Sequence, residues 1–292
     1  MCIALVFAAL RRALGVKRVL YPRIDHKSPR RGLQITGLQI VETPTLLKGD
    51  AVRADIEALS QQLSEGRDSA VLITTTFFPP RESDPVKEVA RLCSDLDVPL
   101  VVNNAYGVQS AEVMSDIRRA IDAGRVDAVV QSSDKNFLAP VGGSILVSPS
   151  SEVIEWTAES YAGRATAAPV VQTLAALLSL GRRRYEELRR AQTENRALLE
   201  SLLREIASEI GQRVLSVENP VSCAMTLDGL DVRSIGARLY NSRVTGPRAV
   251  ERNSVGSCID GYPHNYIVMN AAIGASRDDV ETAVAKLHKE LS

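Results

Sequence analysis

Lys135 is the residue in this chain best placed to do chemistry. It stands in residues 126–147, VDAVVQSSDKNFLAPVGGSILV, between two short apolar runs. Residues 126–130 read as a buried strand, Gly142 and Gly143 break the chain, and residues 144–147 read as a second buried strand. A lysine in such a turn is sheltered at the end of a sheet. Burial disfavours an ammonium ion and frees the amine to attack a carbonyl carbon. The competing reading is a solvated lysine in the polar turn SSDKN.

A second strand end bears on that choice. Residues 98–107, VPLVVNNAYG, form an apolar run that finishes on Asn103, Asn104 and Ala105, about 30 residues before the lysine. In parallel sheets, functional groups gather where strands end. Pyridoxal phosphate enzymes of the aminotransferase-like class take their aldehyde-bonding lysine and a polar partner for the pyridine nitrogen from neighbouring strand ends. Their usual pattern there is Asp-x-Ala. Here Asn103 takes the acidic position and Ala105 the place against the ring, so the cofactor would be a weaker electron sink than with a carboxylate.

Several strings, in order along nearly the whole chain, resemble O-phosphoseryl-tRNA(Sec) selenium transferase, the selenocysteine synthase of archaea and eukaryotes. They are YPRIDHKS (21–28), NNAYGVQS (103–110), the Lys135 segment, YAGRATAAP (161–169), LSLG (178–181), AMTL (224–227), VTGPR (244–248) and NAAIG (270–274). The resemblance implies fold type I, an α/β architecture with a largely parallel sheet and a small C-terminal α+β domain. It implies an enzyme that uses pyridoxal 5'-phosphate to convert O-phosphoseryl-tRNA(Sec) to selenocysteinyl-tRNA(Sec), with selenophosphate as selenium donor. The partners implied are tRNA(Sec) carrying phosphoserine and further copies of the chain in a homotetramer, in the cytoplasm.

Roles follow residue by residue from the same resemblance. Lys135 would bond the cofactor aldehyde and take the α-proton of the substrate; Asn103 would face the pyridine nitrogen and Ala105 the ring. His26 would donate a hydrogen bond to the cofactor, with capping of a loop as its competing reading. Thr75, with Thr74 and Thr76 at a strand end, would offer a hydroxyl to the cofactor. Arg164 matches a substrate-binding arginine, and its planar donors suit phosphate or carboxylate. Arg248 matches an arginine near the tRNA acceptor end, and Lys286 on the last helix would add a backbone contact; a solvated helix face explains Lys286 equally well. A basic tRNA-contacting residue of the family aligns with Asp122, which puts that contact in doubt. Two alternatives stand beside this reading: another pyridoxal phosphate enzyme acting on phosphoseryl-tRNA or in sulfur transfer, and a non-catalytic or incomplete form of the fold.

The elements that must position these residues alternate along the chain. Strands are expected near 19–21, 39–42, 71–74, 99–102, 128–131 and 144–147, with helices near 53–63, 85–96 and 111–123, the alternation of a parallel α/β sheet. Residues 184–210 space Tyr185, Leu188, Leu199, Leu202, Ile206 and Ile210 as one long amphipathic helix. Short strands near 214–217 and 223–227 and a closing helix over 277–291 complete the chain. The expected organisation is a cofactor domain over 1–165, connecting helices over 166–210 and a small domain over 211–292.

Composition adds limits. With 45% hydrophobic and 24% charged residues, the 292-residue chain has enough apolar material for a large core. Its net charge is zero, so contact with RNA rests on local basic patches and not on a global field. Cys2, Cys93, Cys223 and Cys258 are scattered without metal-ligand spacing and read as reduced thiols. Residues 2–10 are apolar but lack the flanks of a signal peptide and the length of a membrane span. They read as a buried helix, which in the family is the one whose N-terminus holds the cofactor phosphate. The resemblance therefore implies that the sequence begins inside that helix, without the family's N-terminal portion, through a start assigned too late, a fragment or a natural short form completed by another chain, and that the 292-residue chain holds the cofactor weakly by itself.

Overall fold

Residues 69–74 are buried at every position with no polar alternation, as expected of a strand covered on both faces. They run through the middle of a six-stranded sheet in the structure, a computed structural model that describes residues 1–66 and 68–291. In chain order the first elements are α1 (Cys2–Leu14), β1 (Arg18–Pro22), α2 (Lys27–Ile35), β2 (Gln39–Thr43), β3 (Thr45–Lys48), β4 (Ala51–Ala54) and α3 (Ile56–Ser64). Next come β5 (Ser69–Thr74), α4 (Val86–Asp95), β6 (Leu100–Asn103), α5 (Ala111–Ala123), β7 (Ala128–Ser132), α6 (Ser133–Phe137), β8 (Ser144–Val147) and α7 (Ser151–Glu159). The remainder is α8 (Ala168–Glu209), β9 (Ser222–Thr226), α9 (Val232–Asn241), β10 (Arg248–Val250), β11 (Tyr266–Asn270) and α10 (Arg277–Leu291).

The chain divides into two units. The first comprises Met1–Leu46, Ala54–Thr76 and Ser83–Ser179. Its sheet has the order β2-β1-β5-β6-β7-β8, parallel throughout except for the antiparallel β8. Leu72 and Ile73 pair with Val101 and Val102, and Thr74 pairs with Asn103, so the polar ends of β5 and β6 lie side by side. Residues from β5, β6 and α4 make the main core, with Leu59 and Leu63 of α3 and Ile117 and Ala120 of α5 packed into it. The helices start where side chains accept their free N–H groups: Asp55 from Ala58 N for α3, and Ser110 from Val113 N for α5.

The second unit comprises Leu47–Arg53, Phe77–Glu82 and Leu180–Ser292. A three-stranded antiparallel sheet, β10-β11-β9, is covered by apolar residues of α8, α9 and α10. The helix α8 changes direction at Gly181 (φ 64, ψ 167), and the segment after it supplies Leu199, Leu203 and Ile206 to this core. Polar contacts tie the two early segments in. Arg213 binds both oxygens of Asp50 at 2.5 and 2.6 Å, Ser216 N donates to the same carboxylate, and the Tyr262 hydroxyl donates to the Asp50 carbonyl. Asn219 donates to the Phe77 carbonyl at 2.5 Å. The Arg213 hydrogen bond holds the Asp50 carboxyl below its ordinary range.

Three local expectations change. The segment 144–147 is half exposed, not buried, because β8 is the last strand of the sheet and has one neighbour. The expected strand near 214–217 reduces to a single bridge, Val214 with Met225. Arg53 lies in β4, and the helix expected to begin there starts three residues later, after the Asp55 cap. Among the described residues no helix is long and apolar enough to cross a membrane, and no cluster of His, Cys, Asp or Glu has the arrangement of a metal site.

Candidate active site

Lys135 sits on the one-turn helix α6, directly after β7, where the sequence suggested an irregular turn. The polar run SSDKN closes a turn because its asparagine amide and its lysine carbonyl find partners in the adjoining strand-end loop. Asn136, fully buried, donates to the carbonyls of Ser132 and Ala105 at 2.7 and 2.9 Å. Gln109, in the 3-10 turn Gly107–Gln109, donates to the Lys135 carbonyl at 2.9 Å. The lysine side chain is half-buried. Its Nζ lies 3.4 Å from Ser132 Oγ and 5.0 Å from the centre of the Tyr106 ring.

Asn103 ends β6 next to Thr74, and its amide donates to Thr74 Oγ1 at 3.4 Å. The Asp84 carboxylate accepts from Thr74 N at 2.8 Å, which pins that strand end from the other side. Asn104 is buried, and its Oδ1 accepts from the Thr75 hydroxyl at 2.7 Å. A side chain at residue 107 would put Cβ 1.9 Å from that same Oδ1, so only glycine lets the loop close over Asn104. Burial, and after it the Asp134 carboxylate, pushes the Tyr106 phenol above its ordinary range.

The structure thus brings Lys135, Asn103, Ala105 and Thr75 to neighbouring strand ends of one sheet. Thr75 is 1% exposed and its hydroxyl is committed to Asn104; the Thr76 hydroxyl is buried and has no hydrogen-bond partner among the described residues. His26 caps α2, its Nδ1 accepting from Ser28 N at 3.3 Å, which is the competing reading given for it. Arg164 lies exposed in the loop before α8 and makes no hydrogen bond or ion pair among the described residues. In the second unit, Arg248 starts β10 with its guanidinium over the rings of Phe77 and Phe78, at 5.6 and 5.7 Å. Lys286 donates to the Ser242 carbonyl at the C-terminal end of α9, 2.7 Å away.

Tyr106, Gln109, Asn136 and Asp84 are the residues that sequence reasoning missed. Their one signal was adjacency to the singled-out positions, and the bonds they make span up to 31 residues of sequence. The set present fits a pyridoxal group. There is an amine at one strand end, an amide at the next, and a small residue between them. Buried polar atoms without partners among the described residues, Thr76 Oγ1, Ser133 Oγ and Asn136 Oδ1, lie on the same turns and strand ends.

Comparison with known proteins bears on the family and the fold. The O-phosphoseryl-tRNA(Sec) selenium transferase of Methanopyrus kandleri is 44% identical over 293 residues, covering 99% of this chain and 67% of its own. The crystal structure of an archaeal O-phosphoseryl-tRNA(Sec) selenium transferase superposes with a TM-score of 0.96 at 40% identity, covering 99% of this chain and 68% of the other. The chain spans about two thirds of the length of the curated relatives it matches. Oryza sativa TDC, solved with PLP and tryptamine, shares the fold at a TM-score of 0.76 and 16% identity, covering 99% of this chain and 65% of the other. The fold is therefore that of the fold type I pyridoxal phosphate enzymes. The family model described as O-phosphoseryl-tRNA(Sec) selenium transferase, SepSecS, matches residues 1–292, and with the whole chain and its fold in agreement, this protein belongs to that family.

Proposed function

We propose that this chain converts O-phosphoseryl-tRNA(Sec) to selenocysteinyl-tRNA(Sec), with Lys135 as its reactive amine. The observation that carries the assignment of the site is the half-buried Lys135 on α6, its Nζ donating to Ser132 Oγ and its backbone carbonyl accepting from Gln109 of the neighbouring strand-end loop, in a chain whose every residue the family model matches. Pyridoxal phosphate, when bound, supplies an electron sink for the pair left at the substrate's Cα. The chain's own residues do the rest. Lys135 holds the cofactor aldehyde and then accepts the α-proton, Asn103 meets the pyridine nitrogen with an amide, and Ala105 leaves room for the ring. Loss of phosphate breaks the Cβ–O bond, the electron pair leaving with phosphate and a Cα=Cβ double bond remaining; the selenium of selenophosphate then adds at Cβ, a proton returns to Cα, and water cleaves the P–Se bond to release a second phosphate. Phosphate is a good leaving group, so an amide partner suffices where transamination calls for a carboxylate.

Arg164, exposed and unpaired among the described residues, has its donors available for the phosphate of the substrate. Arg248 presents a guanidinium that two phenylalanine rings hold flat, a surface suited to a nucleotide of the acceptor end. A homo-oligomer in the cytoplasm completes the reading. Its support is the exposed apolar segment at the start of α8, where Val170, Leu174 and Leu178 are 69%, 53% and 74% exposed at four-residue intervals.

The test is direct. The chain, saturated with excess pyridoxal phosphate, is reduced with borohydride, digested and mapped, and a form extended by the family's N-terminal portion is supplied separately with phosphoseryl-tRNA and selenophosphate. A tag on Lys135 and formation of selenocysteinyl-tRNA are expected. A tag on Lys27 or another lysine removes the assignment of the site.

A further inference from the structure

Two neighbours define where the Lys135 amine rests: the Ser132 hydroxyl and the face of the Tyr106 ring. The second contact is built by the fold and is not a chance pose of a surface side chain. Gln109, on the ring's turn, donates to the carbonyl of Lys135, and Asn136, on the lysine's turn, donates to the carbonyl of Ala105. The two bonds run in opposite directions between the same two turns, so residues 105–106 and 135–136 are held in register. Both donors are buried, Gln109 at 2% exposure and Asn136 at 0%. A lysine that accepts a proton becomes a cation, and in a sheltered site that cation needs a partner. Asp134 is adjacent in sequence, yet the contact recorded for Nζ besides Ser132 is the ring.

We propose that the Tyr106 ring face is the seat of the Lys135 ammonium formed when the lysine takes the substrate's α-proton, which makes Tyr106 a positioning residue for that proton transfer. This rests on the reading of Lys135 as the base. The Cα–H bond breaks, the proton goes to Nζ, and the electron pair stays with the substrate carbon. An aromatic face attracts the cation and does little for the neutral amine, so it stabilises the state after proton transfer. Burial also keeps the phenol in its neutral form, so the ring acts through its face and not as a phenolate. Phenylalanine should therefore replace tyrosine, whereas a residue of similar size without a ring should not.

Two readouts separate this from a packing role. In the cofactor-free chain at one fixed pH, trinitrobenzenesulfonate, which consumes only neutral amines, is used to label lysines, and peptide mapping gives the rate at Lys135 relative to exposed Lys289. Tyr106→Leu should raise that ratio about three- to fivefold, and Tyr106→Phe should leave it within about 1.5-fold. With cofactor and phosphoseryl-tRNA, Tyr106→Leu should lower kcat by about the same factor with KM unchanged, and Tyr106→Phe should restore it. Tyr106→Met serves as a second ringless variant if the leucine protein fails to fold. Equal labelling and equal kcat for the phenylalanine and ringless variants overturn the role of the ring. Borohydride mapping of the parent keeps the two ideas apart: a tag on Lys135 with no difference between variants sinks the Tyr106 inference alone, and a tag elsewhere sinks both.

Discussion

At the scale of single residues, the chemistry of the site turns on which polar groups are already spent inside the protein. Arg164 is not spent among the described residues, and this separates it from Lys286, bonded to a helix end. Arg164→Ala should therefore lower phosphoseryl-tRNA turnover by about tenfold or more while pyridoxal phosphate loading is unchanged; turnover within about twofold of the parent would refute its anion-binding role. That Lys135 and Asn103 stand at strand ends was legible in sequence, because a lysine and an asparagine closing apolar runs stand out from their neighbours. What each polar side chain bonds to was not. Thr75 and Thr76 look alike as letters, yet one hydroxyl is consumed by Asn104 and the other is left buried and unpartnered. His26 reads as a cofactor ligand or as a loop cap, and the bond that its Nδ1 accepts from Ser28 N is one the letters alone do not announce.

At the scale of elements, apolar runs and helical spacing placed the central strands β1, β5, β6 and β7 and the helices α4, α5 and α10 to within a residue or two. The helices α2, α7 and α9 escaped notice because each is short and only part of its face is buried. The one-turn α6 is set by tertiary hydrogen bonds and not by propensity, so no local pattern announces it. Its fit against the following strand gives a prediction. A Cβ at Gly143 would come 2.2 Å from Ser133 Oγ, a hydroxyl that is itself buried without a partner, while Ser133 N donates to the Gly143 carbonyl. Gly143→Ala should destabilise the protein by about 1–3 kcal/mol and disturb the lysine turn. Ser133→Ala should be neutral or stabilising, since it deletes an unsatisfied buried hydroxyl. Combining the two should recover most of the loss. Urea unfolding of the three proteins checks this, and a double variant no better than Gly143→Ala would show that the crowding lies elsewhere.

At the scale of the whole chain, the second unit gathers Leu47–Arg53 and Phe77–Glu82 from far upstream of its main segment, a grouping that no composition shift or linker signals. The Asp50 carboxylate is one of the groups that binds an early segment to the late one, and Arg213 holds it ionised. Because its folded-state pKa is depressed, its contribution is present above the ordinary carboxylate range and is lost as pH falls through the folded value. Asp50→Asn should therefore lower stability by about 1 kcal/mol at neutral pH, a modest amount because Arg213 is half exposed, and the gap to the parent should close below about pH 4. Thermal unfolding of both proteins across pH reads this out; a gap independent of pH would mean that the carboxylate charge is not what matters.

Assembly belongs to the same scale. The start of α8, APVVQTLAALLSL, is the most apolar helical stretch to remain open to solvent, with Val170, Leu174 and Leu178 along one face. Exposed apolar surface of that kind costs free energy in water, about 25 cal/mol for each Å² left uncovered, and a second copy of the chain would cover it. The face lies close to the lysine turn, since a Cβ at Gly143 would be 3.6 Å from Pro169 at the start of the same helix. Covering it would thus also buttress α6. Leu174→Glu combined with Leu178→Glu places two charges on that face without touching the core of either unit. Sedimentation velocity should show the parent as an oligomer and the double variant shifted to a smaller species, with cofactor loading reduced alongside. A parent that sediments as a monomer at micromolar concentration, or a double variant of unchanged mass, would show that no second copy covers this face.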